Sequence, residues 1–272
     1  MHRPWPVTRG FTILELMVAM GIFLVICAAM FSLLQLSQQR YSTETQLSGS
    51  FQEARLGIDQ IVRDINVSGY PSVGMFSNPM SVSAAEYAVS PFAWDPGYTA
   101  YLPLPLGTPL TTCQVRVNCT TPSDFDLIVE TDLGNGTGVN WIHYQLQGTT
   151  LYRSVVPKTV GADPVAATSA PSLMTPFVEN VMNNAPDPLL TEIREQYPNM
   201  FPTGAVPLFQ YTCSTPSGPQ PCTTAAAPYT QVQKISDVDV TLIVKTPKVD
   251  MQTGSLKLME LTGRGHRSNP TN

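Results

Sequence analysis

Arg9-Gly10-Phe11-Thr12-Ile13-Leu14-Glu15-Leu16 leads into an apolar run with no charged residue between Leu16 and Gln39. That length is enough for a helix to cross a bilayer, which takes about 20 apolar residues. Glu15 places one carboxylate just inside the run. Such a group costs about 2.5–3.5 kcal/mol at the bilayer centre on insertion scales, so an intramembrane carboxylate is by default functional or paired. His2, Arg3 and Arg9 precede the run, whereas only Arg40 and Glu44 follow it closely. This bias keeps the N-terminus cytoplasmic and sends the rest of the chain outward.

The same eight residues closely resemble the class III signal of type IV prepilins and type II secretion pseudopilins. The resemblance implies that prepilin peptidase cuts between Gly10 and Phe11 and methylates the new N-terminal Phe11. It also implies that Glu15 pairs, inside a filament, with the N-terminal amine of a neighbouring subunit, while the Leu14–Leu36 surface packs on neighbouring helices. An ordinary secretory signal carries its apolar region ahead of the cut and loses it. Here the run follows Gly10 and would stay in the mature chain. The competing reading is a plain signal anchor in which Glu15 snorkels to the interface.

Removing residues 1–10 leaves 262 of 272, enough for one membrane helix with one globular domain or at most two small ones. Charged residues make up 13%, about half the usual share of a soluble domain. The apolar run and an exported region rich in Thr, Ser and Pro account for the deficit. The 18 Gly and 25 Pro are about 16% of the chain, below the roughly 25–30% that marks disorder, so the exported part is expected to fold with long loops. A net charge of −5 and a pI near 5.1 leave no electrostatic footprint for nucleic acid, which is discounted as a main partner. Cys27 lies mid-run and reads as a small buried hydrophobe. The other cysteines form two close pairs, Cys113/Cys119 and Cys213/Cys222. Four cysteines allow three connectivities; an oxidising exported compartment favours disulfides, and closeness favours local pairing. Zinc is the alternative, against which stand the spacings and the want of a nearby histidine.

Beyond the apolar run, Leu47, Phe51, Ala54, Ile58, Ile61, Val62 and Ile65 recur in steps of three and four, which predicts a continuing amphipathic helix. Gln52, Glu53, Asp59, Gln60, Arg63 and Asp64 take its other faces. Gly69 and Pro71 supply a stop. One helix from Phe11 to Ser68 would be about 87 Å long; two helices broken near Ser37–Thr45 are the alternative. Residues 70–117 read as Pro-punctuated loop. Then Phe125, Leu127, Val129, Thr131 and Leu133 alternate with Asp124, Asp126, Glu130 and Asp132, which predicts a half-buried strand with one solvated face. Asn135-Gly136 offers a hairpin turn. The return strand, Val139–Gln147, would put Ile142, Tyr144 and Leu146 inward and Trp141, His143 and Gln145 outward, and Gly148-Thr149 turns into Leu151–Val156. Further strands are expected at Phe177–Met182, Leu208–Cys213, Gln231–Val244 and Ser255–Leu261, with a short helix or turn at Leu189–Tyr197. The economical architecture is α+β, a long N-terminal helix packed on an antiparallel sheet. Its expected parts are a leader (1–10), a transmembrane half-helix (11–37), an amphipathic half-helix (38–69), a β-rich exported domain (70–262) and a disordered tail (263–272).

Catalytic chemistry is not evident. His143 reads as a surface residue on a polar strand face and His266 as part of the tail, with no nucleophile–base motif around either. No metal or cofactor is expected; the Asp132–Gly138 loop has oxygens and glycines but not the EF-hand spacing. The text Ala54-Arg55-Leu56-Gly57-Ile58-Asp59-Gln60-Ile61-Val62-Arg63-Asp64-Ile65, with Gly69-Tyr70 and the strands around Ile142-His143-Tyr144 and Leu151-Tyr152-Arg153, is similar to PilW-type minor pilins and GspJ-type pseudopilins. That likeness implies a non-enzymatic minor pilin placed at or near a pilus tip to prime assembly. It also implies passage from inner-membrane lipid, as a single-pass protein with a periplasmic domain, to the pilus on the cell surface. The implied partners are prepilin peptidase and other minor and major pilins, or pseudopilins in the secretion version. A pilin-anchored adhesin or ligand-binding tip is the reading from a different class.

Overall fold

A single helix, α1 (Ile13–Asn66), carries the chain from the apolar run into the folded domain without a break. The computed structural model describes Gly10 and residues 12–78, 81–94, 123–160, 173–222, 234–250 and 254–268. The 54 residues of α1 extend about 81 Å at 1.5 Å per residue. No proline interrupts them. Through the polar middle, Thr43 and Thr45 donate their hydroxyls to the carbonyls of Gln39 and Tyr41 at 3.2 and 2.8 Å. The break considered near Ser37–Thr45 is absent. The helix ends where the sequence signals an end: Val67 caps it and Gly69 follows with φ +77°, the left-handed conformation that glycine adopts without penalty.

Two antiparallel sheets receive the helix. The first has the order β1 (Phe92–Ala93), β2 (Asp126–Asp132), β3 (Val139–Gln147), β4 (Thr150–Pro157), β5 (Thr175–Val178). The second runs β7 (Gly218–Pro221), β6 (Phe209–Thr215), β8 (Ile235–Lys245), β9 (Leu258–His266). Backbone bonds join the sheets: the Asp124 carbonyl accepts the N–H groups of Leu208 and Phe209, and Met182 N–H donates to the Ile243 carbonyl. Beside them the short helix α2 (Leu189–Gln196) closes a satellite core of Leu190, Ile193, Met182, Phe201 and Ile243. The expected α+β class is the one observed.

The C-terminal half of α1 lies mainly on β8 and β9 and also reaches β5 and β2. Its buried face is Ala54, Gly57, Ile58, Ile61, Asp64 and Ile65. Contact with β9 is backbone-close: a Cβ at Gly263 or Gly265 would come within 2.5 Å of Ile58 Cγ2 or Ile65 Cγ2. This corrects the expectation of a disordered tail from residue 263. Two glycines weaken a strand on its own, but here they are what lets the helix sit on it. The pairing continues past the strand, with Arg267 N–H donating to the Ser236 carbonyl and Ser268 N–H to the Asn66 carbonyl. His266 donates its N–H to Asn66 Oδ1, and its ring nitrogen lies 2.9 Å from Asp237. Burial raises the Asp237 carboxyl, but hydrogen bonds from His266, Ser236 and Arg264 outweigh it and hold the group below its usual range.

The solvated face expected on β2 and β3 is also corrected. Asp124 is exposed and Asp132 half-buried, but Asp126, Glu130 and His143 are buried. Alternation marks one wet face only where nothing covers it, and β3 is buried on both faces from Val139 to Leu146. Asp126, Glu130 and His143 each find a partner inside, as burial demands of charged and polar groups. His143 Nε2 lies 2.7 Å from Asp126 Oδ2, which also accepts from Gln145. Glu130 takes the Lys158 ammonium and the N–H groups of Val89 and Ser90.

Asp64, placed on a polar helix face by its spacing, is 1% exposed. Its Oδ2 accepts the Tyr144 hydroxyl at 2.6 Å and Arg153 Nη2 at 2.9 Å, while Gln60 donates to Oδ1 at 2.8 Å. Arg153 Nε also donates to the Tyr144 oxygen, and its guanidinium lies over the Tyr144 and Phe177 rings. Burial and the neighbouring carboxylate push the Tyr144 hydroxyl well above its ordinary range despite Arg153, so it remains a donor. Removing one member of a buried ion pair costs about 3–5 kcal/mol, and the partial exposure of Arg153 sets the value near the lower end. Asp64→Ala is therefore expected to destabilise the domain by about 3 kcal/mol and Asp64→Asn by less, read by chemical denaturation of the full chain in detergent. Equal stability of Asp64→Ala and the parent would show that the cluster holds nothing.

Candidate functional site

The first helical turn is built by a reciprocal cap. Thr12 adopts an extended backbone and accepts the Glu15 N–H on its hydroxyl at 3.3 Å. Glu15 returns the contact, its Oε2 accepting the Thr12 N–H at 3.0 Å and the Thr12 hydroxyl at 3.1 Å. A Thr-x-x-Glu pair ahead of an apolar run is a helix-start signature. The pattern is local and readable in the sequence. Both bonds fall on Oε2, so Oε1 is open to a second donor. Gly10 stands just outside this turn, where an added Cβ would meet nothing within 4 Å. The fold itself does not require glycine there. Phe11 lies outside the described residues.

From Ile13 to Leu36 the helix surface is apolar and uncovered; Ile13, Leu14, Phe23, Val25, Phe31 and Leu33 are each more than 60% exposed. The buried face begins only at Ala54. By length and composition this is a helix able to cross a membrane. So large an uncovered apolar surface calls for lipid or protein around it.

The other expected site residues fall elsewhere. Cys213 and Cys222 form a disulfide that ties β6 to the end of β7, with both residues buried; Cys113 and Cys119 lie outside the described residues. Cys27 is free and half-buried. In the Asp132–Gly138 turn the side-chain oxygens serve the turn itself: Asp132 Oδ1 accepts the Gly134 N–H and Asn135 Oδ1 accepts the Thr137 N–H. Among the described residues no three His, Cys, Asp or Glu groups gather at metal-binding distance.

A family model described as the prokaryotic N-terminal methylation motif matches residues 6–31. No curated protein and no solved structure matches the chain. The chain carries a type IV pilin-like prepilin signal, and its long helix on antiparallel sheets is an arrangement like that of pilins. The signal implies processing by prepilin peptidase and assembly with other pilins, and it points to a membrane-anchored structural protein rather than an enzyme. Losing a Thr N-cap costs about 0.5–2 kcal/mol. Thr12→Ala should therefore raise amide exchange at Ile13–Leu16 while leaving α1 beyond Ala54 unchanged, in the full chain in micelles; unchanged exchange at Ile13–Leu16 would show that the cap is idle.

Proposed function

We propose that this chain is a minor pilin of a type IV pilus, cut between Gly10 and Phe11, methylated on Phe11, and assembled at or near the pilus tip to prime polymerisation. The observation that carries the reading is one unbroken helix. Its first part is capped, apolar and uncovered, and its last part is clamped into a two-sheet domain. Before assembly the uncovered part lies in the inner membrane, with the domain in the periplasm. In the filament, neighbouring helices replace lipid around it. Glu15 then takes the methylated amine of a neighbouring subunit on Oε1 while Oε2 keeps its bonds to Thr12. Two opposite charges offset each other's burial cost only when they meet in good geometry, so the pair selects one axial register.

A GspJ-like pseudopilin of a type II secretion system is the alternative within the same chemistry. Deleting the gene separates the two, since one version loses surface pili and the other loses secreted proteins. A pilin-anchored adhesin is the reading from another class. A groove of about 490 Å³ beside Cys222, lined in part by Asp124, Gln210, Thr212 and Asp239, gives it a specific surface. Pull-down of sibling pilins, set against binding to surface ligands, discriminates them.

Gly10→Ala is expected to block cleavage, and a fault in folding would not explain the block, because the added methyl meets nothing within 4 Å; a mature N-terminus still beginning at Phe11 would overturn the assignment. Glu15→Ala should be processed normally yet be recovered in sheared pili at least about tenfold less, since it leaves a neighbour's ammonium buried and unpaired. Normal recovery would remove Glu15 from the assembly step.

A further inference from the structure

Where α1 leaves its apolar run, a concave site of about 480 Å³ opens between the helix and the β8–β9 connection. One wall is a row of amide and hydroxyl side chains at steps of three and four, including Gln35, Gln38, Gln39, Ser42 and Gln46; the other is Lys248 and Val249. Pro247, Lys248 and Val249 are exposed. Lys248 takes no part in the ion pairs found among the described residues.

The depth of this site follows from the reading of α1 as a membrane span, on which the inference rests. Leu16 to Leu36 covers about 31 Å of helix, close to the roughly 30 Å hydrocarbon core. The headgroup layer adds about 5–7 Å on each side, or four to five helical residues, which is Ser37 to Tyr41. Arg40 and the exposed Tyr41 fall within it, and aromatic rings of this kind settle at the interface. Gln38 and Gln39 therefore present their amides among headgroups, and the domain loop meets them there with an ammonium and an exposed valine.

We propose that this site seats the phosphate of a phospholipid headgroup in the outward-facing leaflet. Lys248 supplies the charge, the Gln38 and Gln39 amides supply N–H donors, and Val249 rests at the acyl boundary. The domain is thereby docked on the bilayer before assembly and must release that lipid to enter a filament.

The test uses the full chain in nanodiscs of phosphatidylethanolamine and phosphatidylglycerol doped with nitroxide lipids, with tryptophan emission read as the difference from the parent. Val249→Trp emission should be quenched more strongly by a headgroup nitroxide than by a mid-chain one. Adding Lys248→Glu should lower the docked fraction about fivefold or more, as loss of a single surface cation near anionic lipid predicts. Ile26→Trp, quenched by the mid-chain nitroxide, reports the membrane span independently. With that control quenched, Val249→Trp emission indifferent to both lipids would overturn the headgroup seat. So would quenching that Lys248→Glu leaves unchanged. An unquenched Ile26→Trp would overturn the span itself.

Discussion

One carboxylate, Asp64, decides where the long helix meets the domain. The aliphatic stripe beneath the helix drives burial but sets position loosely, because apolar contact is non-directional. Hydrogen bonds from Tyr144 and Arg153 to a single oxygen of Asp64 are not loose. Moving the helix by one turn, about 5.4 Å, would strand three polar groups in the interior. The close approach of β9, made possible by Gly263 and Gly265, acts in the same direction: the Ile58 and Ile65 side chains of the helix rest directly on the strand backbone. The rest of the domain is arranged around this joint.

The division of α1 into two environments follows from the joint. From Ile13 to Leu36 the helix has no covering surface, and its apolar side chains must find lipid or other protein. From Ala54 to Ile65 its inner face is enclosed by the chain itself. At the first end Glu15 is exposed and half-engaged, by a threonine three residues away. At the other end Asp64 is buried and fully engaged, by partners 80 and 89 residues away. One carboxylate serves the turn it stands in, and the other joins elements far apart in the chain.

That contrast explains what could be read from the sequence. The helix and most strands were legible because apolar period is a local property, and β3 falls at Val139–Gln147 as its alternation predicts. Burial of the polar residues was not legible, because period says which residues share a face but not whether the face is covered. Spacing alone places Asp126, Glu130, His143 and Asp64 in water, and the fold buries all four. Glu130 is covered by Val89, Ser90 and Lys158, each at least 28 residues distant. The end of the final strand is hidden because Gly-x-Gly reads as weakness unless the helix above it is known. Thr12 was the opposite case: its cap is a four-residue pattern, present in plain text.

An unbroken helix also turns sequence length into angle. Asp64 lies forty-nine positions after Glu15, a rise of about 74 Å with every residue contributing about 100° of rotation. With neither proline nor turn in between to absorb a change, the direction in which the domain faces is a count of residues. One residue inserted near Ser48 would leave both ends chemically intact and swing the domain by more than a quarter circle relative to the N-terminal contact. The stretch from Ser37 to Ser50 is thus a spacer whose length, as well as the side chains it turns toward Lys248 and Val249, is constrained.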